Sequence, residues 1–236
     1  MKKLALGLIS TLLAQGGLLA QDRGHLHIGA VTQDQGAQLT FPNGMDFIPS
    51  TGWTKSLTFT NGGKYAGYWQ GNVTFDALAT TTANGGPALN ASAPGSFLRA
   101  EIVSVSGPEG SHFGFWERGS LAPTYSIPSG TIDGHFSYAV SDAALGAGAV
   151  GGDPFGHLHG RRFTVDKEGD YTVGFRAFDV SINGLGGQAI HTPSDILLIG
   201  FTGTLVPEPS TFGLAFVGAT LMSLVWRAKR RSVKKA

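Results

Sequence analysis

Cysteine is absent from all 236 residues. That excludes a disulfide framework, a thiolate zinc site, an iron–sulfur cluster and a thiol nucleophile, so any metal must be held by His, Asp, Glu or backbone oxygen. Charge is scarce, at 14% of residues against an ordinary ~25%. Runs of Ala, Glu, Lys and Leu are missing while 36 residues are glycine, which excludes long amphipathic helices and coiled coils. Neither G-x-S-x-G nor H-E-x-x-H occurs, which removes two common hydrolase signals. A basic body is missing too. All sixteen acidic residues lie between 21 and 209 beside nine basic ones, a balance of 9 − 16 = −7, the wrong sign for a nucleic-acid binder. What remains is 42% apolar, enough for a real core, in a length that suits one all-β domain.

The other eight basic residues sit at the two ends. Residues 1–20 have a basic start (Lys2, Lys3), an apolar run from Leu4 to Leu13 and small residues before Gln21, the pattern of a signal peptide removed by signal peptidase. At the far end Pro207, Glu208 and Pro209 precede an uncharged stretch, 212–226, and a cluster of Arg and Lys. This order predicts a single transmembrane helix with a cytoplasmic basic tail. Together, 206–236 resembles the PEP-CTERM sorting signal. The resemblance implies exosortase as processing partner and an exported protein of the cell envelope, membrane-anchored before sorting.

Between these ends, 21–205 shows alternation of apolar and polar residues with turn clusters such as Asn61-Gly62-Gly63. Eleven strand-like runs are expected: 25–31, 38–41, 56–60, 65–69, 72–75, 97–105, 112–116, 135–140, 162–165, 171–182 and 196–205. In the clearest, Tyr171, Val173, Phe175, Ala177 and Asp179 share one face. The fold class is therefore all-β, a single β-sandwich with jelly-roll or immunoglobulin-like connections, with helix confined largely to the two terminal segments. Gly146-Ala-Gly148-Ala-Val-Gly151 fits G-x-G-x-x-G, but Gly152-Asp153-Pro154 follows where a helix must open, so it reads as a loop. Residues 166–170 read as a turn between strands rather than a calcium loop.

All seven histidines lie in the body, and four of them form two identical segments, Gly24-His25-Leu26-His27 and Gly156-His157-Leu158-His159. Random placement would give only about 0.2 H-x-H pairs. In a strand, i and i+2 share a face with Cα atoms ~6.5–7 Å apart, so two imidazoles can converge on one ion. Zinc needs three or four ligands, so one pair is half a site. Either the two pairs meet, or one recruits His191, His112, Asp153 or Asp22. The candidate ligands are His157 and His159 first, then His25, His27 and His191, and zinc is the candidate ion.

Ser106–Trp116 (SGPEGSHFGFW), Gly156–Thr164 (GHLHGRRFT) and Glu168–Val173 (EGDYTV) together resemble the choice-of-anchor M surface proteins, whose relatives include zinc-repressed PEP-CTERM proteins. His157 and His159 match that family's H-x-H, and Gly169 and Tyr171 match its G-x-Y turn into a strand. Arg162 stands near the family's Trp, and the spacing to G-x-Y is one residue longer. The resemblance implies a zinc or manganese link and a metal-uptake system as partner.

Three functions compete on these grounds. One is a surface protein that binds a divalent metal. Another is a non-metal adhesin that binds extracellular polysaccharide through Trp53, Tyr65, Tyr68, Trp69 and Trp116, although aromatics of a β-sandwich are usually core. A glycoside-active enzyme would need two carboxylates ~5–9.5 Å apart. Glu101, Glu109, Glu117 and Asp179 could supply them, but no spacing singles out two, so no catalytic residue is assigned.

Overall fold

A computed structural model describes residues 24–205. The signal peptide 1–20, Asp22, the Pro207-Glu208-Pro209 motif and the helix expected at 212–226 all lie outside the described residues. Among the described residues, no helix is long and apolar enough to cross a membrane.

Strand makes up 37% and helix 9% of the described residues, so the all-β expectation holds there. The described residues form twelve strands: β1 (Leu26–Ala30), β2 (Leu39–Thr40), β3 (Lys55–Thr60), β4 (Tyr68–Gly71), β5 (Phe75–Ala77), β6 (Leu98–Ser106), β7 (His112–Trp116), β8 (Tyr125–Pro128), β9 (Phe136–Ala139), β10 (Arg162–Val165), β11 (Gly169–Asp179) and β12 (Leu197–Gly203). Among the described residues the helix is all short 3-10 turns, such as Gly44–Phe47 and Ala143–Leu145. Helical turns therefore occur within the body as well.

The sandwich expectation needs correcting in its topology. Nine strands form one continuous sheet in the order β8-β7-β10-β4-β3-β12-β11-β6-β9. Its halves would be separate leaves but for β3, which pairs in parallel with β12 and antiparallel with β4. Backbone hydrogen bonds thus sew the halves together along one side. On the other side the two edge strands nearly meet: the Tyr125 hydroxyl of β8 donates to the Ser137 carbonyl of β9 at 2.9 Å. The sheet is nearly closed, a barrel in all but its last seam. Near-closure limits the exposure of unpaired strand edges.

The interior is aromatic. Phe113 of β7 meets Phe201 of β12 at 5.0 Å between ring centroids, Phe163 of β10 meets Phe175 of β11 at 5.6 Å, and Phe115 stacks on Tyr138 at 4.4 Å. These rings come from opposite halves of the sheet, so burying them favours the curled shape. In β11, Tyr171, Val173, Phe175 and Ala177 are all buried on the expected face, with Asp179 at its end. The Tyr171 hydroxyl donates back to the Lys167 carbonyl at 2.9 Å, tying the turn, which covers 166–168 and not the expected 166–170, to the strand that starts at Gly169.

A second sheet has the order β2-β1-β5. Phe75 of β5 packs against Phe175 and Tyr138 at 5.2 and 5.8 Å, so this small sheet is fastened to the core of the large one. Leu26 and Ile28 of β1 are fully buried. By strand alternation this leaves His25 and His27 on the opposite face.

Candidate functional site

The register of the small sheet assembles the site. Strand β1 runs parallel to β5 with His27 opposite Asp76. On the other side of β5, Ala77 bridges antiparallel to Gly156, with Ala77 N donating to Gly156 O at 3.0 Å. One step along that bridge sets His157 opposite Asp76. Asp76 is therefore flanked by one histidine from each Gly-His-Leu-His segment. His25 and His159, two residues away, follow onto the same face. The two pairs meet.

The side chains bear this out. His157 Nδ1 lies 3.3 Å from Asp76 Oδ1, and His27 Nδ1 lies 3.3 Å from Asp76 Oδ2. His157 Nε2 lies 2.8 Å from His159 Nε2. The ring centroids of His25 and His159 stand 4.3 Å each from that of His157 and 6.4 Å from one another. A zinc ion ~2.0–2.1 Å from one nitrogen of each of three imidazoles places their ring centres roughly 5 Å apart; the two separations from His157 fall just under that, and the one between His25 and His159 is longer. His25, Asp76 and His157 each also offer a ligand atom, all within 4.8 Å of one another. His27 Nδ1 is buried and, despite its approach to Asp76, makes no aligned hydrogen bond.

Two residues absent from the sequence expectations hold this arrangement. Asp76 is buried within the apolar strand Phe75-Asp76-Ala77. A carboxylate in such a strand is costly unless partnered, and that was the available signal. Asn43 accepts from His27 N at 2.8 Å through Oδ1 and donates to His25 O at 2.9 Å through Nδ2. It takes the place of a neighbouring strand beside the histidine backbone. Only the fold, not the sequence, brings it there.

Burial holds His25 below the ordinary imidazole value of 6.5. His157 and the other neighbouring imidazoles add to that, and Asp76 opposes it. A neutral His25 at pH 7 has a lone pair free for a cation.

The remaining candidates lie elsewhere. His191 is buried away from the cluster. Its Nε2 accepts from Ala93 N at 2.8 Å and its Nδ1 faces Ala37 O at 3.0 Å. Both nitrogens are thus committed to backbone, so His191 braces loops instead of joining the other four. Asp153 accepts from Thr80 N and Phe155 N, shaping its own turn. His112 Nδ1 sits 2.9 Å from Asp166, and His135 lies beside Glu101.

The groups behind the other two functions are also placed. Glu101 is ion-paired with Arg176 and Glu117 with Arg161. Asp179 accepts from the backbone N–H groups of Phe97, Ser181 and Ile190. Of the aromatics proposed for sugar contact, Trp53, Trp69 and Trp116 are buried. Tyr65 and Tyr68 turn edge-on to Trp116 at 4.9 and 5.8 Å. Both tyrosines are half-buried, and they cover the Trp116 ring.

Residues 205–231 match the family model described as the PEP-CTERM protein-sorting motif. The chain thus carries the sorting signal of an exported envelope protein processed by exosortase. No curated protein and no solved structure matches the chain. The resemblance of the body to choice-of-anchor M proteins is accordingly not supported by any homologue.

Proposed function

We propose that this exported surface protein captures a divalent metal ion, zinc by ligand chemistry, between His25, His157 and His159. The observation that carries the reading is the meeting of two Gly-His-Leu-His segments on either side of one buried carboxylate. Imidazole suits zinc, and three protein ligands leave a fourth position for water or another donor. Asp76 acts from behind. With its Nδ1–H turned to Asp76, His157 presents the Nε2 lone pair toward His159, the arrangement in which a carboxylate orients a metal-bound imidazole. His27 approaches the other carboxylate oxygen at 3.3 Å. The role is binding, not catalysis. Residues 1–20 direct export and are removed by signal peptidase. Residues 212–226 hold the chain in the membrane until exosortase acts at Pro207-Glu208-Pro209.

Zinc titration by calorimetry at pH 7.5 tests the metal reading. The body should bind with a Kd below about 100 μM, equivalent to ~−5.5 kcal/mol. The His157→Ala/His159→Ala double variant should not bind in that range. Equal binding by the two proteins, or none by either, rejects the site.

A further inference from the structure

Beside the histidine cluster, the face of β3, β4 and β10 carries an open polar groove of about 440 Å3, within the range of small-molecule sites. The strand register builds its floor: Thr58 of β3 lies opposite Gln70 of β4, which lies opposite Thr164 of β10. Ser56 and Thr58 alternate with buried Leu57 and therefore point outward. The groove is lined by the hydroxyls of Ser56, Thr58 and Thr74, the amides of Gln70 and Asn72, and two cations, Lys55 and Arg162. Besides the His25 imidazole, the lining holds no carboxylate and no Phe, Tyr or Trp ring among the described residues.

The cations are the unusual part. The body is acidic, yet among the described residues neither Lys55 nor Arg162 is paired with a carboxylate. Arg162 is nevertheless held in place: Nε donates to Gln70 Oε1 at 3.1 Å, and one terminal nitrogen donates to Arg161 O at 2.8 Å. A guanidinium has five N–H donors in a fixed fork, so three remain for a ligand. A positioned Arg with spare donors suits an oxyanion, and a nearby ammonium adds charge without demanding geometry. Hydroxyls and amides along the rest of the groove match a ligand rich in hydroxyl groups.

We propose that the groove binds an acidic sugar unit. Its carboxylate lies against Arg162 and Lys55, and its ring hydroxyls meet Ser56, Thr58, Thr74, Gln70 and Asn72. The ligand class is a uronate-containing polysaccharide of the kind a surface protein encounters outside the cell. The site stands independently of the metal reading, although His25 belongs to its wall.

The test is calorimetric titration of the purified chain with tetragalacturonate, and with maltotetraose as the neutral control, in chelator and again with zinc. The acidic tetrasaccharide should bind in chelator with a Kd below about 1 mM, weakening at least threefold between 50 mM and 0.5 M salt as the charges are screened. Maltotetraose should bind at least tenfold more weakly. Lys55→Gln and Arg162→Gln should each weaken the acidic ligand about fivefold or more. Lys55→Gln should do so with unchanged melting temperature and unchanged zinc affinity, which separates this site from the histidine cluster. Equal binding of the neutral sugar, no binding of the acidic one, or indifference to both substitutions overturns the proposal. Displacement by an equal concentration of inorganic phosphate overturns the sugar assignment, because the groove would then be reading charge alone.

Discussion

Asp76 sits where two histidines from distant parts of the chain reach opposite oxygens of one carboxylate, and its effect on a bound ion is separable from that of the ligands. Asp76→Asn keeps the shape but removes the charge that orients and strengthens His157. Zinc affinity should fall about 10–100-fold, the usual cost of losing such a partner, whereas His157→Ala should remove a ligand and cost more. Calorimetry of the two variants side by side checks the order. Protons act on the same atoms. Burial depresses both His25 and His191 below 6.5. The unfolded chain therefore takes up protons first as pH falls, and stability contributed by the neutral rings is present above about pH 6.5 and lost below it. Melting temperature should be level from pH 8 to 7 and decline from 6.5 toward 5. His191→Gln should flatten part of that decline while lowering stability throughout, since burial leaves few substitutes for the ring's two backbone partners. A melting temperature that does not fall across that interval contradicts the assignment.

Among the elements, β8 and β9 carry the last seam of the sheet. Tyr125→Phe deletes one hydrogen bond between them and should cost about 0.5–1.5 kcal/mol, a few degrees in melting temperature for a protein of this size. Hydrogen exchange should rise in β8 and β9 more than in β11. These strands also mark where sequence patterning stops being informative. The strands at 112–116 and 162–165 are legible to the residue because alternation and β-branched or aromatic content agree. Tyr125–Pro128 escapes notice because it is four residues long and ends in proline, which an edge strand tolerates. Tyr65–Trp69 is read as one strand but breaks at Gly67, whose φ of +85° turns the chain before β4. The run from Tyr171 stops at Asp179, whose carboxylate gathers the N–H groups of the following loop. At the site, four histidines are visible from spacing alone. Asp76 and Asn43 are not, because nothing local marks which strand lies beside β1.

For the whole molecule, the terminal signals and the folded body make different demands. Mass spectrometry of envelope fractions should lack peptides from residues 1–20 and from beyond about Pro209, with peptides from the body abundant. Recovery of the intact chain from cytosol contradicts export. The body has its own core and forms one compact unit up to Thr204, so trimming beyond that residue should leave its melting temperature nearly unchanged. The bridge between Ala77 and Gly156 then carries a further implication. The two histidine segments are 157 − 25 = 132 residues apart, and only the completed register of β1, β5 and the 156–159 loop brings them together. An unfolded chain holds two weak, separate chelating fragments. On the proposed metal reading, tight capture would be a property of the finished fold, and an ion bound there would stabilise that fold by mass action. A protein that completes its fold only after leaving the cytoplasm would be loaded from the metal outside the cell, whatever the concentration within.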